Sequence, residues 1–93
     1  MDRKLLHNKF ENQFELQLEN NQKAIITYRK NGNHLSLLHS EVPMSLRGQG
    51  IGKELVEKTF QTIEKEGYTA TAHCSYVRTV AKRSDYWSKI IQH

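Results

Sequence analysis

A chain of 93 residues has room for one small domain with a modest core, and it reads as a single unit over 1–93. With 37% hydrophobic and 26% charged residues it is too apolar for disorder, and no apolar run approaches a membrane span. The net charge of +4 favours an anionic partner and leaves nucleic acid, a phosphorylated cofactor and an anionic surface open.

The start, MDRKLLHNKF, carries basic residues without a following apolar stretch, so no signal peptide is expected. In FELQL, Phe14, Leu16 and Leu18 alternate with polar partners, the period-two pattern of a half-buried strand. ENNQ (Glu19 to Gln22) reads as a turn before KAIITYR, whose β-branched and aromatic residues predict a second strand. Asn31-Gly32 is a short-hairpin signal. HLSLLHSEV then reads as a third strand ending at Pro43, completing an antiparallel three-stranded meander.

Ile51, Leu55, Val56, Thr59, Phe60 and Ile63 recur at helical spacing, and Gly67 supplies the C-cap of a helix predicted from Gly50 to Glu66. The other face is a solvated charged stripe with an i,i+4 pair, Glu54 with Lys58. YTATAHC (Tyr68 to Cys74) predicts a fourth strand, and the intervening helix makes it parallel through a right-handed crossover. Ser75 is placed to cap a short helix over 76–83, and Ser84 a last one carrying Tyr86, Trp87, Ile90 and Ile91. The expected fold is α+β, of order βββ-α-β-α-α, with helices covering the sheet.

Cys74 is the single cysteine, which excludes an internal disulfide framework and points to an intracellular, cytoplasmic protein. The five histidines (7, 34, 39, 73 and 93) show no paired ligand spacing, so no metal site is expected.

The stretch LRGQGIGKEL, Leu46 to Leu55, places three glycines in five residues between a strand and a helix. The first N–H groups of that helix lack intrahelical partners and sit at the positive end of its dipole, an anion site in waiting. Gly48, Gly50 and Gly52 would let backbone approach phosphate oxygens, with Arg47 adding a charge-assisted contact. The alternative is a flexible loop whose glycines only satisfy turn geometry. The spacing excludes a dinucleotide fingerprint, which needs G-x-G-x-x-G, and a P-loop, because Gly52-Lys53 is followed by Glu54.

What the loop does fit is R-x-x-G-x-G, through Arg47, Gly50 and Gly52, flanked by HSEVP before it and HCSYV downstream. Over roughly His34 to Tyr86 the chain resembles the GNAT acetyltransferase superfamily, in particular its small single-domain members with a cysteine at this strand end. The resemblance implies a minimal GNAT-like fold that binds acetyl-CoA and transfers its acetyl group to an amine. It assigns the coenzyme A pyrophosphate to the loop of Arg47, Gly48, Gln49, Gly50, Ile51, Gly52 and Lys53. It also sets the pantetheine arm between diverging parallel strands, with Glu41, Val42 and Pro43 on one side and His73, Cys74 and Ser75 on the other. The Val42 N–H is then placed to polarise the thioester carbonyl. At this length the chain has no room for the family's usual helices between the first strands or for strands after the last helix. It would act as a monomer or complete its site as a homodimer.

Cys74, at a strand end before a helix start, is a candidate for a lowered pKa and nucleophilic character, or else a small core residue. His39, Glu41 and His73 are candidate bases. His39 and Glu41 share a side of their strand, alternating with Leu38, Ser40 and Val42, and each could equally be a solvent-facing strand residue. Tyr76 could protonate the departing thiolate or simply pack on the sheet. Arg78, Lys82 and Arg83 form a basic stretch that could meet a ribose phosphate or be solvated. Two other classes remain: a coenzyme A-binding module without catalysis, and a small basic nucleic-acid-binding protein, for which no recognised motif is present.

Overall fold

The computed structural model describes residues 3–93; Met1 and Asp2 lie outside the described residues. Along the chain come β1 (Leu5–Asn8), β2 (Gln13–Gln17), β3 (Lys23–Asn31), β4 (His34–Glu41), α1 (Ile51–Lys65), β5 (Thr69–Ala72), α2 (Ser75–Arg83), α3 (Trp87–Ile90) and β6 (Ile91–Gln92). They form one six-stranded sheet in the order β1-β2-β3-β4-β5-β6. The first four strands pair antiparallel, while β4–β5 and β5–β6 pair parallel. The mixed α+β architecture and the parallel strand after a crossover helix agree with the sequence reading.

The meander, however, is four-stranded, and the sheet has a sixth strand. β1 went unread because LLHN lacks the alternation that marks a half-buried strand. β6 is two residues long, and Ile91, assigned above to the last helix, instead pairs with Ala70 and buries its side chain in the sheet. A short strand does follow the last helix, contrary to expectation. Ser75 is not a cap either: Cys74 occupies the N-cap of α2 and Ser75 is its first helical residue. Nor does Ser84 stand at the N-cap of α3, which is Tyr86, though its Oγ accepts from the Trp87 N–H at 3.0 Å at the start of that helix.

Phe14 and Leu16 of β2, Ala24, Ile26 and Tyr28 of β3, Leu35 and Leu37 of β4, and Ala70 and Ala72 of β5 share one core with the apolar faces of α1 and α2. The opposite sheet face is polar. There Glu15 accepts from Asn8 and Gln13, and the His34 ring bonds the hydroxyls of Thr69 and Thr71. α1 is long enough to cross the sheet because both its ends are built to stop it. Gly50 stands at its N-cap with φ 76°. At the other end Gly67 (φ 81°) completes a Schellman motif, Tyr68 N–H bonding Ile63 O and Gly67 N–H bonding Glu64 O. The expected Glu54–Lys58 pair forms at 2.8 Å, and both residues also hold Arg3. Among the described residues no helix is long and apolar enough to cross a membrane.

β1 is anchored by His7, whose side chain is 6% exposed. The ring stacks on Phe14 at 4.2 Å between centroids, with Nδ1 2.8 Å from Glu66 Oε1 and Nε2 2.7 Å from Tyr28 Oη. A neutral ring satisfies all three groups when Nδ1–H donates to the carboxylate and Nε2 accepts the phenol proton. Truncation would orphan the buried Tyr28 hydroxyl as well as remove the stacking. His7→Ala is therefore expected to cost about 2–3 kcal/mol in urea unfolding. The His7→Ala/Tyr28→Phe double variant should recover part of that loss; if it is no more stable than His7→Ala, the orphaned hydroxyl is not the cause.

Candidate active site

β4 changes phase partway along. Tyr28 faces Leu37, but the next residue back on β3, Thr27, faces His39, so Leu38 is an extra residue in a bulge. Uninterrupted alternation from Leu35 and Leu37 would turn His39 and Glu41 toward the core. After the bulge they pair with Thr27 and Ile25 on the polar face, while Ser40 pairs with the buried Ile26. His39 and Glu41 do share a side, as expected, but Leu38 does not alternate with them. The bulge also coincides with the end of parallel pairing. The last β4–β5 pair is Leu37 with Ala72, and the N–H groups of His73 and Cys74 both converge on Leu37 O, at 2.9 and 3.2 Å. Beyond this point the two strands separate.

Next to this gap lies a cleft of about 470 Å³. One wall is the end of β4: His39, Ser40, Glu41 and Val42. The floor is the loop and start of α1: Leu46, Arg47, Gly48, Gly50, Ile51 and Gly52, with Tyr76 of α2 closing the far side. Gly48 and Gly50 both have left-handed backbone (φ 84° and 76°), and a Cβ added to either would meet nothing within 4 Å. The first helical bond runs from Glu54 N–H to Gly50 O, which leaves the N–H groups of Ile51, Gly52 and Lys53 without intrahelical acceptors. Bare backbone, free donors and a positive dipole end therefore adjoin one opening, an arrangement that fits a phosphate group.

Gly52 has a different reason to be glycine. A Cβ there would lie 3.1 Å from the Tyr76 hydroxyl and 3.2 Å from its ring, so the missing side chain seats Tyr76. Tyr76 remains 42% exposed, with its ring bordering the cleft rather than packing into the sheet. Arg47 turns back on its own loop, Nε donating to Val42 O at 3.4 Å. Gln49 and Lys53 are exposed and stand off the cleft, Lys53 facing the grooves beside α1. His39 and Glu41 are two-thirds exposed, their side chains 3.9 Å apart. His73 is exposed and is not part of the cleft wall.

Cys74 is half-buried behind that wall, its Sγ 3.2 Å from Ser40 Oγ. Burial pushes the thiol up, but hydrogen bonds from the Ser40 hydroxyl and from the N–H groups of Val77, Tyr76 and Ser40 outweigh it. The thiol consequently lies below its ordinary pKa. Sequence reading missed Ser40 and Leu46 as cleft residues. Nothing in the local pattern marks Ser40, because its proximity to Cys74 depends on the bulge and on parallel register.

The sequence pattern of the GCN5-related N-acetyl-transferase family matches residues 13–90. The chain belongs to the GCN5-related N-acetyltransferase family. It is 29% identical over 82 residues to Protein NATD1 of Danio rerio, covering 86% of this chain and 74% of that protein. Against Protein NATD1 of Homo sapiens it is 29% identical over 80 residues, covering 84% and 71%. A GCN5-like protein from Staphylococcus aureus, solved in solution by NMR, superposes with a TM-score of 0.68 at 28% identity, over 98% of this chain and 90% of that one. The family's fold and its acetyl-transfer chemistry are thus the frame in which the cleft is to be understood.

Proposed function

We propose that this chain, acting as one minimal domain, transfers an acetyl group from acetyl-CoA to a primary amine. The observation that carries this reading is the left-handed Gly50 cap, with open space above it, in a cleft that adjoins the separation of β4 from β5. The loop from Gly48 to Lys53 holds the coenzyme's pyrophosphate on backbone N–H groups at the positive end of α1. Arg47 fixes the loop to the end of β4 through Val42 O and brings a cation to the rim. When bound, acetyl-CoA supplies an activated thioester for attack by nitrogen.

The chain's own groups handle the protons. An amine is protonated at neutral pH and must lose a proton to become a nucleophile. Glu41, with His39 beside it, stands on the cleft wall in open contact with water, where it takes that proton and releases it. Tyr76 presents its hydroxyl proton from the opposite side, available to the departing thiolate. The Val42 N–H polarises the carbonyl, and the amine attacks directly, with Cys74 held behind Ser40.

Titration of acetyl-CoA into 15N-labelled protein is expected to shift the amides of Val42, Gly48 to Lys53 and Cys74 saturably. No saturable shift at about millimolar ligand, ample for an ordinary cofactor affinity, would remove the reading. Mass spectrometry after acetyl-CoA alone should show no acetyl group on Cys74. A stoichiometric adduct that an added amine discharges would replace direct attack with a covalent route.

A further inference from the structure

We propose that Ser40 is a positioning residue of this site, holding the Cys74 sulfur in place across the gap between β4 and β5 through their side-chain hydrogen bond. The purpose of the contact rests on the acetyl-transfer reading; the contact itself rests on geometry. Ser40 reaches Cys74 only because the Leu38 bulge reverses the phase of β4. It pairs with the buried Ile26 and so turns its hydroxyl to the helix-covered side, where α2 begins. The Oγ–Sγ distance is 3.2 Å, and it spans the two strands just past their last ladder pair. Ser40 borders the cleft and Cys74 does not.

Both residues are half-buried, so water competes weakly for either side chain and a hydroxyl donor there favours the ionised sulfur. Cys74 also stands at the N-cap position of α2, and the N–H groups of Tyr76 and Val77 favour its ionised form as well. Ser40 from β4 and the α2 backbone together hold the sulfur between them. Removing the hydroxyl leaves the α2 N–H groups and the Ser40 N–H as the remaining donors to the sulfur.

Because Cys74 is the single cysteine, alkylation by iodoacetamide reports on it without background. The midpoint of the rate–pH profile reads the thiol's ionisation, and comparing threonine with valine at position 40, alike in volume, separates loss of the hydroxyl from a change in burial. The titratable and charged groups next along the chain are His39 and Glu41 on either side of Ser40, and His73, Tyr76 and Arg78 around Cys74; all are retained in every variant. Ser40→Ala is expected to raise the midpoint by about one pH unit, as loss of a charge-assisted hydrogen bond implies. Ser40→Thr should keep the wild-type midpoint. Ser40→Val, alike in shape to Thr but lacking the hydroxyl, should follow Ser40→Ala, and this pair decides the matter if the alanine variant does not fold. Equal midpoints for Thr and Val variants would overturn the proposal. The assay contains no acetyl-CoA, so its outcome is independent of whether acetyl transfer occurs.

Discussion

A Gly50→Val protein is expected to stay folded and to lose at least about a hundredfold in acetyl-CoA affinity, roughly 2.7 kcal/mol. Two effects combine. The Gly50 backbone sits at φ 76°, a region β-branched residues avoid, so valine pulls the α1 cap toward another conformation. The space a Cβ would enter is empty and opens on the cleft, so the new side chain covers the donors that a phosphate needs. The strain itself is modest, about 1–2 kcal/mol for a non-glycine residue in left-handed backbone. In a domain of this size that corresponds to a fall in Tm of about 4–16 °C. Gly67→Val is the matched control. Its φ is 81° and its Cβ also meets nothing, but it lies at the other end of α1. It should be destabilised comparably and bind acetyl-CoA as wild type does. Unchanged affinity in folded Gly50→Val would show that the loop glycines serve only the turn.

Phe60→Ala should produce the largest loss of stability. Phe60 is wholly buried on α1 and packs against Trp87 of α3, with ring centroids 5.4 Å apart. Its truncation removes apolar contact and leaves a cavity that rigid neighbours cannot close, at a cost of about 3–5 kcal/mol. Domains of this length have only about 5–14 kcal/mol in total, so the loss takes at least about a fifth of the stability and, at the low end of that range, most of it. Because Trp87 begins the short α3 that leads directly into β6, the loss should also appear as faster amide exchange at Ile91 than at Leu35. A urea-unfolding change below about 1 kcal/mol would mean that α1 and α3 do not close the core together.

Some parts of this molecule follow from local rules that act within a few residues. The spacing of Ile51, Leu55, Val56, Thr59, Phe60 and Ile63 makes one apolar stripe wherever the helix lies, and all six are buried. Asn31-Gly32 and Gly67 act through their own backbone, Gly32 at φ 61° and Gly67 at φ 81°, so the hairpin and the helix stop were legible. The same holds for the glycine loop ahead of α1. Its left-handed, open backbone at Gly48 and Gly50 needs only a strand before it and a helix after it.

Tertiary structure decided what depends on partners distant in sequence. β1 and β6 exist because β2 and β5 offer edges to pair with, and LLHN or Ile91-Gln92 has no pattern of its own strong enough to announce a strand. Gly52 looks like its loop neighbours, yet its missing Cβ is needed by Tyr76, 24 residues on. Most of all, the bulge at Leu38 is not fixed by HLSLLHSEV, where the adjacent Leu37 and Leu38 break the alternation without saying which of them leaves the ladder. It arises from the register between β3 and β4, and that one-residue shift sends His39 and Glu41 to the open face and Ser40 to Cys74. Sequence by itself determined which residue types surround the cleft; long-range register determined which of them face one another.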